Sequence, residues 1–322
     1  MKCVRVHEYG SLENAVLDEI PVPEIGMIDV LVKIDAASIN PLDLKLIGGT
    51  LQEHFPLSMP YPLGTDLAGT VVEAGSLAIH WKKGDRVFAR LEPGPGPGSE
   101  YSRGGAFAEF ASVPAKQLAP APAHLPLDYA AGLPTGAGAA WQALFETAHL
   151  QPGQTLLIHG GSGGVGSFAV QLAKYIGARV IATTSKTNAE MVRKLGADEV
   201  IDYENQDFAA TVSNIDVVLD TAGGVAHSKS YKVIRPGGML VSIATFPDPE
   251  SAKAHGVSAT WMLHLSDGAR LSLIAGLCNT GALKVPVDST FSLQDFASAL
   301  TRSASGRATG KILLKVSQSQ KD

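Results

Sequence analysis

The hydrophobic pattern changes character once along the chain. In the N-terminal third, apolar positions come in short runs at residues 2–6, 30–34, 68–72 and 106–113, with Gly84-Asp85 turning the chain into a further run at Arg86-Val87-Phe88. Alternation with a period of two marks half-buried strands, and many short strands separated by Gly and Pro turns predict a small barrel or sandwich. Glu92-Pro93-Gly94-Pro95-Gly96-Pro97-Gly98-Ser99 suits neither helix nor central strand, because proline has no amide to donate and glycine is entropically costly. A surface loop is expected there. From residue 124 the rhythm becomes strand, helix, strand. Apolar runs at 155–159, 178–184, 199–202, 216–220, 239–243 and 257–262 predict six strands. Val165, Phe168, Leu172 and Ile176 recur at helical spacing before Gly177, and a helix over 189–195 stops at Gly196. Strands apolar on both faces, alternating with helices, imply a parallel sheet covered on each side. The expected class is α/β: a small barrel or sandwich over 1–123, completed by 263–322 with a terminal strand at Lys311-Ile312-Leu313-Leu314-Lys315-Val316, and a doubly wound unit over 124–262.

The first candidate chemistry lies between the first strand and first helix of the second unit. Gly161, Ser162, Gly163, Gly164, Val165 and Gly166 fit G-x-G-x-x-G in the context that gives the pattern meaning. Small residues let the backbone approach a pyrophosphate, and the helix N-terminus meets its charge. The second strand ends in Thr184-Ser185-Lys186, without the carboxylate that accepts a ribose 2′-hydroxyl in NAD sites. Lys186 instead suits a 2′-phosphate, so NADPH is the expected cofactor. Tyr203, at the end of the third strand, adds a hydroxyl, and Thr221, after the fourth strand, and Ile243, at the end of the fifth, complete the cofactor set.

Composition narrows the classes. A length of 322 residues suits two domains, and 45% hydrophobic with 18% charged residues is a globular composition. Lys plus Arg number 26 against 31 Asp plus Glu, and a net charge of -5 argues against a dedicated nucleic-acid or anionic-membrane surface. Two cysteines, Cys3 and Cys278, exclude a disulfide scaffold and a four-thiolate zinc site. Charges in the first eight residues leave no apolar signal segment, and the longest uncharged run, 129–145, is broken by Pro134, Gly136 and Gly138. A cytoplasmic protein without membrane spans is expected.

A series of short motifs resembles the medium-chain dehydrogenase/reductase superfamily, in its zinc-free quinone oxidoreductase (zeta-crystallin-like) and enone reductase branch. Ile39-Asn40-Pro41-Leu42-Asp43 resembles the Asn-Pro-x-Asp motif, followed by Pro62-Leu63-Gly64-Thr65-Asp66-Leu67-Ala68-Gly69. Gly84-Asp85-Arg86-Val87, Gly105-Ala106-Phe107-Ala108-Glu109, the glycine loop, Asp216-Val217-Val218-Leu219-Asp220, Arg235-Pro236-Gly237-Gly238 and Gly310-Lys311-Ile312 continue it. The zinc alcohol dehydrogenases of that superfamily carry a Cys in the first motif and Gly-His-Glu where this chain has Gly64-Thr65-Asp66. Zinc-dependent alcohol oxidation is therefore not expected, and no metal is assigned.

The resemblance implies a GroES-like barrel, a Rossmann-type unit and hydride transfer from NADPH to a quinone or an α,β-unsaturated carbonyl. It also implies the catalytic candidates. Asn40 would donate its amide to substrate or cofactor, Lys45 would stabilise an enolate or lend a proton, and Asp43 with Asp66 would fix loop geometry or hold Lys45. Two departures bear on substrate geometry: Ala139-Ala140-Trp141 lacks a threonine found in relatives, and Ile47 stands where relatives often have Arg. A 2-enoyl-thioester reductase and a non-catalytic NADPH-binding protein remain alternatives. The apolar edge run 257–262 suggests pairing into a homodimer.

Overall fold

The computed structural model describes residues 1–53, 56–93 and 105–316. Most of the expected Pro-Gly loop, residues 94–99, lies outside the described residues. The chain divides into two compact units: Met1–Thr135 with Leu265–Gly281 and Val285–Asp322, and Gly136–His264 with Ala282–Lys284. Residues 124–135 cluster with the first unit, because the short Leu127–Ala130 helix packs on the Asp29–Ile39 and Asp66–Ala74 strands.

The first unit is built on a sheet ordered Val287–Ser292, Lys311–Lys315, Asp29–Ile39, Asp66–Ala74, Arg86–Arg90, Leu118–Pro120, with Phe110–Pro114 also paired to Asp29–Ile39. A smaller sheet joins Ala15–Glu19, Lys2–Val6 and Tyr61–Pro62. Asp29–Ile39 is eleven residues long and buried on both faces over most of its length, which is why only part of it alternates in sequence. Val4, Val32, Leu67, Phe107 and Leu314 belong to one apolar core. The terminal strand runs antiparallel to Asp29–Ile39, with Ile312 opposite Ile39 and Leu313 opposite Ser38. Asp66, from the neighbouring strand, lies opposite Ser38.

The second unit is a six-stranded sheet, parallel throughout, ordered Glu199–Asp202, Arg179–Thr184, Thr155–His159, Ile215–Asp220, Ile234–Ser242, Ser258–Trp261. The first strand in the chain thus sits centrally, and the winding reverses beside it. The C-terminal edge at such a reversal is where open α/β sheets bind ligands. The Gly166–Tyr175 helix follows that strand and buries Phe168 and Leu172, each worth about 1.5–3 kcal/mol of apolar burial. The Pro134–Trp141 helix and the wider turn at Gln142–Thr147 were not expected, since Gly136-Ala137-Gly138-Ala139-Ala140 carries no apolar stripe. Among the described residues no helix is long and apolar enough to cross a membrane.

Candidate functional site

The cofactor candidates gather at the C-terminal edge of the parallel sheet. After Thr155–His159 the chain turns through Gly160–Val165 into the Gly166–Tyr175 helix. A Cβ on Gly166 would lie 2.1 Å from the Gly160 carbonyl oxygen, and one on Gly161 would lie 2.7 Å from the Ala182 Cβ. Both positions admit only glycine without backbone movement. The amides of Gly161 and Gly163 are satisfied by the Thr183 and Gly160 carbonyls, whereas those of Ser162, Gly164 and Val165 have no acceptor among the described residues. Three unspent N–H groups in a glycine cradle at a helix N-terminus suit an anion such as a pyrophosphate.

Next to the cradle, Ser162 Oγ accepts from Thr184 Oγ1 at 2.9 Å and Asn188 Nδ2 at 3.3 Å. The Tyr203 amide donates to the Thr184 carbonyl, so the exposed Tyr203 ring is tied to the same strand end. Ser185 leads into a single helical turn, Lys186–Asn188. Lys186 is exposed and forms no ion pair among the described residues. Thr221 Oγ1 donates to the His159 carbonyl at 2.7 Å, and the Ile243 amide to the Asp220 carbonyl at 3.0 Å. Asn188 was missed from sequence because its contact with Ser162 depends on how the chain leaves the second strand.

Buried polar pairs brace this edge from below. Ser230 Oγ spends its proton on the Ala226 carbonyl at 2.7 Å, so at 2.9 Å it accepts from His159 Nε2. Thr183 Oγ1 faces His159 Nδ1 at 3.3 Å, which matches a neutral ring. Burial, with the nearby His227 adding to it against the pull of Asp220, lowers the His159 pKa to about 4. Asp220 accepts from the Ala222 and Gly223 amides, from His227 Nδ1 at 2.8 Å and from Ser242 Oγ at 2.8 Å. Burial pushes its pKa up, but these donors prevail and hold the carboxyl below its ordinary range.

The catalytic candidates lie in the first unit. Asn40 precedes the Pro41–Ile47 helix, and Asp43 Oδ2 accepts its amide at 2.7 Å. Pro41 at the first helical position gives up no needed donor. Register places Lys311 beside Asn40, and its Nζ donates to Asn40 Oδ1 at 2.6 Å while lying 3.7 Å from Asp66 Oδ2. Asn40 Nδ2 donates to Asp66 Oδ2 at 3.0 Å and to Thr65 Oγ1 at 3.4 Å. Asp66 also accepts from Ser38 Oγ, from the Thr135 amide and, at 2.6 Å, from Thr135 Oγ1. Asn40, Asp43, Asp66 and Lys311 are all buried. Burial, reinforced by Asp66, raises the Asp43 pKa to about 7 against the Asn40 amide, Lys311 and Arg90. Burial lowers that of Lys311, with Asp66 and Asp43 pulling it back.

This geometry shows what Asn40, Asp43 and Asp66 each meet. Both ends of the Asn40 carboxamide are engaged inside the unit. Asp43 and Asp66 do not hold Lys45, which is exposed and without a side-chain partner among the described residues. Residues two apart on a helix point to opposite sides, so Asp43 and Lys45 cannot share a face. Lys311 takes that place. Its signal in the sequence is a lysine heading an apolar strand, but only long-range register shows what it meets. Ile47 is fully buried, which accounts for an apolar residue at that position.

A parallel-sheet unit with a glycine cradle, joined in one chain to a β-barrel unit, defines a dinucleotide-dependent dehydrogenase or reductase architecture. Residues 26–123 match the family described as alcohol dehydrogenase GroES-like domain, and residues 195–314 the family described as zinc-binding dehydrogenase. The chain is 35% identical to the chloroplastic quinone-oxidoreductase QR1 of Triphysaria versicolor, over 98% of each. It is 33% identical to an NADPH-dependent alkenal/one oxidoreductase of Arabidopsis thaliana, covering 98% of this chain and 79% of that protein. Among solved structures, a quinone oxidoreductase from Coxiella burnetii superposes with a TM-score of 0.87 at 29% identity, over 98% of this chain and 99% of that one. A mycobacterial protein complexed with NADPH superposes at 0.86 with 26% identity, over 98% and 100%. The chain belongs to the medium-chain dehydrogenase/reductase superfamily.

Zinc does not fit the residues present. The ligand positions carry Asn40, Thr65 and Asp66, with no thiolate or imidazole, and an ammonium already lies against two of them.

Proposed function

We propose that the protein is an NADPH-dependent reductase that passes a hydride to a quinone or to the β-carbon of an α,β-unsaturated carbonyl. The observation that carries the reading is the glycine cradle with three unspent amides beside a strand end that offers Lys186 and no carboxylate. Bound there, NADPH would supply the hydride from C4 of its nicotinamide. Gly161, Gly163 and Gly166 keep the cradle open, and the Ser162, Gly164 and Val165 amides receive the pyrophosphate charge. Thr184, Ser185, Lys186 and Tyr203 receive the 2′-phosphate end, while Thr221 and Ile243 border the remaining cofactor path. Names of relatives support the acceptor class. Conjugated acceptors suit a site without zinc ligands, because their carbonyl takes up the charge itself. Lys45, exposed and without a side-chain partner among the described residues, is the group available to stabilise an enolate or deliver a proton. Asn40 and Asp43 support it by fixing the start of the helix that carries it.

The partner is thus a small electrophile. The sheet ends at Ser258–Trp261, and an unpaired edge with Phe246 67% exposed and stacked on Trp261 supports a homodimer. Sedimentation as a monomer at micromolar concentration would refute that. Two free thiols suit a reducing compartment such as the cytoplasm. The test of function follows loss of reduced-nicotinamide absorbance with a benzoquinone, a naphthoquinone, an alkenal, an alkyl vinyl ketone and an enoyl thioester, each with NADPH and NADH. Turnover of quinones or enones with NADPH supports the reading; tight NADPH binding with no turnover of any acceptor overturns it.

A further inference from the structure

We infer that the Lys311 ammonium is the resident cation of the barrel unit's polar site, a tethered substitute for a metal that positions Asn40 and Asp66. The inference rests on the reductase reading only for its kinetic arm. Lysine stems normally carry their charge out to water, yet Lys311 is 3% exposed. A buried charge persists only with compensating partners. Here these are Asn40 Oδ1 at 2.6 Å and Asp66 Oδ2 at 3.7 Å, with Asp43 acting on it electrostatically. An ammonium has donors and no acceptor, so it dictates which end of the Asn40 amide faces it. The NH2 end is then turned toward Asp66 and Thr65. Asp66, oriented in this way, also receives the amide and hydroxyl of Thr135. Without the cation, the amide loses the contact that sets its orientation, and two carboxylates are left buried together. Asp43 Oδ1 is buried and has no hydrogen-bond partner among the described residues. Lys311 acts through Asn40 and Asp66, and so is a positioning residue.

The experiment uses two variants of the full chain. Lys311→Met keeps most of the stem and removes the charge; kcat should fall on the order of 10²-fold, the scale of a small misplacement in a site. KM for NADPH should change little, because the cradle is untouched. Lys311→Ala leaves room for an added ion. Propylammonium should restore kcat and melting temperature saturably, and propan-1-ol, of similar size without charge, should not. Should Lys311→Ala fail to fold alone, refolding yield in propylammonium against propan-1-ol makes the same comparison. Wild-type kcat in Lys311→Met, or equal rescue by the alcohol, overturns the inference. If the wild type turns over no acceptor, the reductase reading fails by itself, and rescue of melting temperature or refolding yield still decides the role of Lys311.

Discussion

Asp43 makes the stability of the barrel unit depend on pH in a direction opposite to that of most carboxylates. It is fully buried, and its pKa stands at about 7 against an ordinary 3.8. The folded state therefore holds a proton that the unfolded chain releases, and stability falls as pH rises between those two values. Each pH unit in that interval removes about 1.4 kcal/mol. Between pH 5 and 8 the loss is about 3 kcal/mol, complete once pH has passed the folded pKa. Asp43→Asn retains an oxygen to accept the Asn40 amide and carries no titrating group. Urea denaturation of both proteins across this range, read by fluorescence, should give a wild-type stability that drops by about that amount relative to the variant. His159 titrates elsewhere in the chain and is present in both proteins, so the difference isolates Asp43. Parallel stability curves would show that the buried carboxyl does not titrate in this window, and the assignment of its environment would be wrong.

Other outcomes follow from the second unit. His159 has the reverse sign: its folded pKa of about 4 lies below the ordinary 6.5, so stability present above pH 6.5 is lost as pH falls toward 4. The loss is about 3 kcal/mol, and His159→Gln should flatten that acid limb in the same denaturation assay. Gly166→Ala puts a methyl 2.1 Å from a backbone oxygen; NADPH affinity by fluorescence titration should fall by at least about tenfold as the cradle is forced open. Lys186→Ala should weaken NADPH binding by about tenfold, the scale of one lost charge-assisted contact, and leave NADH binding unchanged. Equal loss for both nucleotides would remove the basis for the 2′-phosphate assignment.

The sequence by itself determined the elements whose physics is local. A lone strand-loop-helix segment announces the glycine cradle, because steric clearance at Gly161 and Gly166 is settled by neighbours in the same turn and the adjoining strand. The strand and helix periods of the second unit were legible for the same reason, and the missing carboxylate after Thr184 needed no fold to be seen. The central strand Asp29–Ile39 was only partly legible, since burial on both faces erases alternation. The Gly-rich Pro134–Trp141 helix showed no apolar stripe at all. What tertiary structure alone decided is the polar site of the barrel. Lys311 and Asn40 are 271 positions apart, and only antiparallel register brings the last strand against the one that leads into Asn40. Sequence reasoning had Asp43 and Asp66 either fix loop geometry or hold Lys45, which lies two positions from Asp43. Helix geometry separates those two side chains, and sheet pairing supplies a distant lysine in place of the near one.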